Sequence, residues 1–404
     1  MSACSGWTRA SKHGKDIVSE SNQAAQQPKD FGFDADALAL KDVAEKFFQD
    51  NLPTHKLHGL VAEDSDLRNG SACRWDKNLW QRVVDLGWLM VAVPERVGGI
   101  GMSAVAVAVL AEQAGRAALP GPLVPTLSAS YILDACGTDN ADAALSLICE
   151  GNSFSYAASN QNGSWEHDAS ELVLEDNKLT GALYFVQDAQ KVDYFLVNAK
   201  RHGEPTLVVV PANLDGLTVE PNSIIDLTRD QARLRFDQVA IEDSQIVSAP
   251  GQALGALQDA TPALLTLICA DICGAAEWQL QTTAEYARTR KQFDRSLGFF
   301  QAVKHPLADF MVAIDLARSH LYNAACSIDY EPELAEQYAR MAKSAANDAA
   351  AFGSKKSVQL HGGIGFTWES FVHIYLKRQL HSQTLWGDAA YQRQKLAELI
   401  LQGN

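Results

Sequence analysis

The sequence predicts a mainly α chain with a small central β domain, on three observations. Helical periodicity holds from Phe31 to about Asn152. Short runs rich in β-branched and aromatic residues then replace it, up to about Pro250. Helical patterning returns after that and holds to the end, in segments of more than about 25 residues. With 404 residues, 47% hydrophobic and 21% charged, the chain has apolar material for two or three domains. The expected division is an arm over 1–30, a helical domain over 31–152, a β domain over 153–250 and a helical bundle over 251–404.

The elements follow in order. The arm is rich in Ser, Gln and Lys and lacks a hydrophobic period, which predicts disorder. FDADALALKDVAEKFFQDNL opens on an Asp start signal and places Leu38, Leu40, Val43, Ala44, Phe47 and Phe48 on one apolar stripe. Further on, a helix breaks at Gly87, a short apolar segment ends at Pro94, and the turn Gly98-Gly99-Ile100-Gly101 launches another helix. PGPLVPTL (120–127) reads as a loop and SASYILDACG (128–137) as a helix. Seven runs from SFSYAAS to ARLRFDQVAI, punctuated by Gly, Asn and Asp, read as strands. Helices are then expected at about 255–289, 299–328, 331–360 and 370–401, the lengths of a helical bundle.

Charge and cysteine usage exclude several functions. The balance of 34 basic against 49 acidic side chains, a net −15, argues against a nucleic-acid or anionic-membrane surface. No apolar run is expected to approach the ~18–20 uncharged residues of a membrane span. The N-terminus lacks an apolar signal core, and seven scattered cysteines read as reduced thiols, so a cytoplasmic protein is expected. Cys269 and Cys273 share a helix face among apolar neighbours, which suits core thiols better than a metal or redox pair, and no metal site is expected.

Two segments carry chemistry. In ARTRKQFDRSLGFFQAVKHPLADF (287–310), Arg290 ends a helix, and Gln292 and Phe293 follow in a turn before Gly298. A guanidinium forks onto a pyrophosphate, an amide bonds adenine or ribose edges, and Phe293 offers a stacking face. The bland alternative is a surface Arg and Gln with a core Phe. In SVQLHGGIGFTWE (357–369), Gln359 precedes Gly362, Gly363 and Gly365, a helix-ending loop whose bare backbone can approach a phosphate. A glycine cluster is otherwise just a turn. Gln301 and His305, one helical turn apart, are candidates for supporting the same site, with a surface or subunit-contact role as the alternative for His305.

Together with GWLMVAVPERVGGIG (87–101), these segments resemble the signature segments of the acyl-CoA dehydrogenase family, and the resemblance covers nearly the whole chain after residue 31. It implies an N-terminal helical domain, a small β-barrel or sandwich and a C-terminal four-helix bundle. It also implies FAD, an oligomer, and oxidation of an acyl-CoA thioester to its 2,3-enoyl form, with an electron-transfer flavoprotein as acceptor. Arg290, Gln292, Phe293, Gln301, Gln359, Gly362, Gly363 and Gly365 would contact FAD. The 359–365 loop would touch the adenosine-pyrophosphate half of an FAD held mainly by the neighbouring subunit.

The base is missing where the family keeps it. Dehydrogenation needs a carboxylate to take the α-proton while the β-hydrogen leaves as hydride, and donors to the thioester oxygen. In many members the base is a Glu in a Tyr-Glu-Gly-Thr-like stretch before the last helix. Alignment on Gly387 puts Leu385 at the Tyr, Trp386 at the Glu and Asp388 at the Thr. In a minority the Glu lies 26 positions before the Arg of the QF motif, which here is Leu264. Asp271 shares a helix face with that position but lies roughly 10 Å along the axis, whereas Asp259 faces another way. Asp271 and Asp388 remain weak candidates for an unorthodox base. The flavin-cradling loop is altered as well. SYAASNQNGSWEHD (155–168) lacks the family's Glu-Pro and Gly-Ser-Asp, and GALYFVQDAQ (181–190) offers only Gln187 where a lysine-tryptophan-like flavin contact is expected.

The chain therefore resembles the base-lacking subunit of heteromeric acyl-CoA dehydrogenases of bacterial steroid side-chain degradation, a subgroup that GFTWESFVHIYLKR (365–378) also fits. That implies a second acyl-CoA dehydrogenase-like subunit, an α2β2 heterotetramer, a catalytic Glu from the partner and a bulky acyl-CoA. Beside it stand a self-sufficient homo-oligomeric dehydrogenase with an Asp base, an FAD-free scaffold or regulatory paralogue, and another flavin chemistry such as oxidase action.

Overall fold

The computed structural model describes residues 27–62 and 75–402, so the expected disordered arm lies almost wholly outside the described residues. Six helices come first: α1 (Ala35–Asn51), α2 (Thr54–Ala62), α3 (Lys77–Asp85), α4 (Ala104–Arg116), α5 (Leu123–Cys136) and α6 (Asp139–Cys149). Seven strands follow: β1 (Phe154–Ala157), β2 (Val173–Glu175), β3 (Lys178–Gln187), β4 (Tyr194–Arg201), β5 (Glu204–Pro211), β6 (Leu217–Pro221) and β7 (Gln231–Ala240). The 37-residue α7 (Ala253–Thr289) leads into the hairpin β8 (Lys291–Gln292) and β9 (Arg295–Ser296). Then come α8 (Gln301–Tyr330), α9 (Pro332–His361), α10 (Val372–Thr384) and α11 (Ala389–Gln402).

Side-chain caps set several helix starts: Asp34 accepts from the Ala37 amide at 2.7 Å, and Asp76, Ser103 and Thr138 cap α3, α4 and α6. In the sheet, β5 pairs along β4 in antiparallel fashion. On β4's other edge lie β1 (Phe154 opposite Tyr194) and then β2 (Val173 opposite Lys200), both parallel to it. The ladder continues antiparallel from β2 through β3 and β7 to β6. One apolar core runs through both helical regions and takes in Phe154 and Leu196, whereas Leu183, Phe195 and Leu234 centre a separate core inside the β region. The α4–α7 crossing depends on two glycines: a Cβ at Gly274 would lie 1.9 Å from the Glu112 carbonyl oxygen, and one at Gly115 2.2 Å from that of Asp271.

Four expectations need correction. PGPLVPTL is a loop only as far as Pro122; α5 starts at Leu123, because Pro125 falls in its first turn, where an amide hydrogen has no partner to lose. The 370–401 segment is two helices, broken at Leu385–Asp388, where Trp386 and Gly387 take positive φ. On α1 the buried face is narrower than the stripe, with Ala37, Ala44 and Phe48 inside and Leu38 and Val43 about half exposed. Finally, α7 is long and apolar enough to cross a membrane by length and composition, but 78% of its most apolar window is buried within the fold, as in a core helix.

Candidate functional site

Arg290, Gln292, Phe293, Gln301, Gln359, Gly362 and Gly363 lie on the surface at one end of the helical bundle. Tyr286, near the end of α7, stacks on His361, at the end of α9, with ring centroids 4.3 Å apart, and so joins the two motifs. Arg290 ends α7 in an extended conformation, exposed and without an ion pair among the described residues. The β8–β9 hairpin turns through Phe293 and Asp294, both at positive φ, which thrusts the Phe293 ring 86% into solvent. Gln301 opens α8. Gly362 holds φ 64°, ψ −142°, a conformation essentially reserved for glycine, and a Cβ at Gly362 or Gly363 would meet nothing. Gly365 is different: it is buried, and its Cβ would lie 2.5 Å from the Val358 carbonyl oxygen. An uncommitted guanidinium, an exposed amide, an exposed ring and an open glycine run fit a dinucleotide's phosphate and adenosine end arriving from outside the chain.

The other half of the site has a different character. A cavity of about 80 Å³ lies between the start of α5, β1, β3 and the α10–α11 junction, well below the roughly 300–1,000 Å³ of ligand clefts. Trp386 enters it and lies parallel to Tyr156 (5.9 Å, 4°) and against Trp165 (5.1 Å, 34°). The 158–168 loop is latched over this stack. Trp165 Nε1 donates to the Thr384 carbonyl at 3.1 Å, Glu166 binds Tyr391 and Lys395, and His167 Nε2 meets Thr261 Oγ1 at 2.9 Å. Trp165, Glu166, His167 and Trp386 also wall a second cleft of about 510 Å³, so they form a septum between two spaces. The Trp386 and Trp165 rings line this inner space and narrow it.

The Trp386 turn is held from behind. Lys343 of α9 is wholly buried, and its Nζ donates to Asn347 Oδ1 at 2.7 Å and to the carbonyls of Ser382 (3.2 Å) and Gly387 (3.3 Å). These are free carbonyls at and beyond the end of α10, where a cation is favourable. Burial brings the Lys343 pKa down to about 8, partly opposed by Cys269 and Asp388. Gln392 donates to the Trp386 carbonyl.

The weak base candidates are otherwise engaged. Leu264 is buried in the core. Asp388 is exposed and caps α11 through the Tyr391 amide at 2.8 Å. Asp271 lines the inner cavity but is wholly buried between two cations: Arg229 Nη2 lies 2.7 Å from Oδ1, Arg378 Nε lies 3.2 Å from Oδ1, and Arg378 Nη2 contacts Oδ2. Burial alone would raise its pKa, but Arg229 and Arg378 hold it below the usual carboxylate range. A carboxylate held ionised by two guanidinia has little affinity for a substrate proton. The network extends through Arg229 to Asp226 and through Asp226 to His381 and Thr228, and so ties the 226–230 loop to α7 and α10. Its members lie up to 155 residues apart, and no local spacing in the sequence points to them. Lys343 did leave a signal, as the one cation in the small-residue run AKSAANDAAA.

Both helical regions match family models: residues 34–148 the acyl-CoA dehydrogenase N-terminal domain, and residues 266–401 its C-terminal domain. Acyl-CoA dehydrogenase IpdE2 of Mycobacterium tuberculosis is 31% identical over 75% of this chain and 80% of its own length. The chain belongs to the acyl-CoA dehydrogenase family, FAD-dependent oxidoreductases acting on a CH–CH bond. A structure of the Tcur3481-Tcur3483 steroid ACAD is 28% identical, with a TM-score of 0.77 over 91% of this chain and 98% of that one. The ChsE4-ChsE5 complex from Mycobacterium tuberculosis shares the fold, with a TM-score of 0.80 at 23% identity over 92% and 98% of the two chains.

Proposed function

We propose that this chain is the base-lacking subunit of a heteromeric acyl-CoA dehydrogenase. Trp386 carries the reading: an aromatic ring stands where the family resemblance expects the catalytic Glu, packed against Tyr156 and Trp165 at the wall of the inner cavity. In the proposed α2β2 assembly, a second acyl-CoA dehydrogenase-like subunit provides the flavin-ring pocket and the Glu. This chain offers Arg290 to the pyrophosphate, Gln292 and Phe293 to the adenosine, and the Gln359–Gly365 loop to the same end, with Gln301 beside them. Bound FAD supplies the hydride acceptor. The two-component names of the ChsE4-ChsE5 and Tcur3481-Tcur3483 structures support a heteromer, and the word steroid in the second supports a bulky, ring-bearing acyl-CoA as substrate. An electron-transfer flavoprotein is the proposed acceptor, and the cytoplasm the proposed location.

The test is to express the chain alone and with an acyl-CoA dehydrogenase-like partner, and to measure bound flavin and turnover. Flavin and activity are expected only on co-expression. Yellow, active protein from this chain alone would contradict the reading, and colourless protein in both cases would favour the scaffold.

A further inference from the structure

We infer that this chain's own outer cleft turns acyl-CoA away by charge, which confines the thioester to the site borne by the partner; the inference rests on the heteromeric reading above. At about 510 Å³ the cleft has the size of a ligand site, and it abuts Trp386, where the reacting end of a thioester would have to arrive. Its inner end is shut by Trp165 and Trp386, which wall both spaces.

The lining is anionic. Glu166, Asp259, Glu333, Glu336 and Glu398 face only Arg340 and Lys395 as permanently charged cations. Neither cation is free: Arg340 lies 2.6 Å from Glu336, and Lys395 lies 2.8 Å from Glu166 and 3.3 Å from Glu398. Burial, then the charge of Arg340, push His167 below the usual imidazole pKa, so it adds no positive charge near neutrality. Asp259 and Glu333 are exposed and have no ion pair among the described residues. The start of α9 is a poor anion site too, because Pro332 brings no amide hydrogen to its first turn and Glu333 already occupies that positive end. Coenzyme A carries a 3′-phosphate and a pyrophosphate, which need free guanidinium, ammonium or backbone donors. This wall meets them with unpaired carboxylates.

The test uses the co-purified complex with coenzyme A itself as probe, in equilibrium dialysis at low and physiological salt. Wild-type complex is expected to bind one coenzyme A per two chains. Asp259→Lys with Glu333→Lys in this chain is expected to raise that towards one per chain, the added site weakening as salt rises. Asp259→Asn with Glu333→Gln covers the case in which lysines disturb α9, and is expected to give a weaker gain in the same direction. One coenzyme A per chain in the wild type, or no gain from either pair, would overturn the inference. Flavin counted on the same samples separates the two readings. One flavin per chain sinks the heteromer, whereas half a flavin with one coenzyme A per chain sinks only the exclusion by charge.

Discussion

Asp271→Asn separates a structural counter-ion from a catalytic base in one variant. The wild-type carboxylate accepts three charge-assisted hydrogen bonds, one from Arg229 and two from Arg378. An amide of the same shape would leave those two buried guanidinia with only Asp226 as a counter-charge in the network. Removing one partner from a buried pair costs about 3–5 kcal/mol. For a chain of this size that lowers the unfolding midpoint by roughly 4–6 °C. The assay is thermal unfolding of the co-purified complex, with turnover measured per assembled complex. A large drop in midpoint with nearly unchanged turnover is expected. Loss of a general base instead costs about 10²–10⁴-fold in rate, and that loss at an unchanged midpoint would refute the counter-ion role. The pH dependence has a definite sign. Asp271 and Asp226 have depressed folded pKa values, so their contribution is present above the unfolded carboxylate pKa of about 4 and is lost as pH falls below it. The variant's stability should therefore fall less steeply with acidification than the wild type's.

Trp386→Ala is expected to cost about 2–3 kcal/mol, below the value for a fully buried Trp because this one is half-buried. Trp386→Gly should cost roughly 1 kcal/mol less, since residue 386 sits at φ 58°; a Gly variant melting below the Ala variant would contradict this account of the turn. For Lys343 the folded pKa of about 8 lies below the usual 10.5, so the unfolded chain holds more protons between these values and stability rises with pH across that interval. Between pH 7 and pH 9.5, wild type should gain about 1–2 kcal/mol relative to Lys343→Met; parallel pH curves would show that the buried amine keeps its proton throughout this interval.

Much of the architecture was legible because local rules carry it. The long helices end within a few residues of their apolar periods, and seven strands form where seven were expected. The placement of the surface motifs was legible for the same reason, as Arg290, Gln292 and Phe293 are neighbours in sequence around one turn, and Gly362 bends the chain through its own backbone. Trp386 was legible only as a missing acid. What fills the site was not, because the Tyr156–Trp386–Trp165 stack joins a strand, a loop and a helix junction. The Arg229–Asp271–Arg378 cluster escaped for the same reason, and Asp271 looked like a base candidate until its two guanidinium partners were placed. Proline misled in the opposite direction: PGPLVPTL has the composition of a loop, yet a first helical turn accepts Pro125 without losing a hydrogen bond.

The central claim is that this chain lends the adenosine end of a flavin site whose ring the partner holds. Arg290→Ala, made in this chain alone and co-expressed with a wild-type partner, tests it most directly, with bound flavin per assembled complex as the readout. Arg290 is exposed and has no ion pair among the described residues, so fold and assembly should survive the change. The account expects an intact complex that has lost most of its flavin. An intact complex with a full complement of flavin would contradict it.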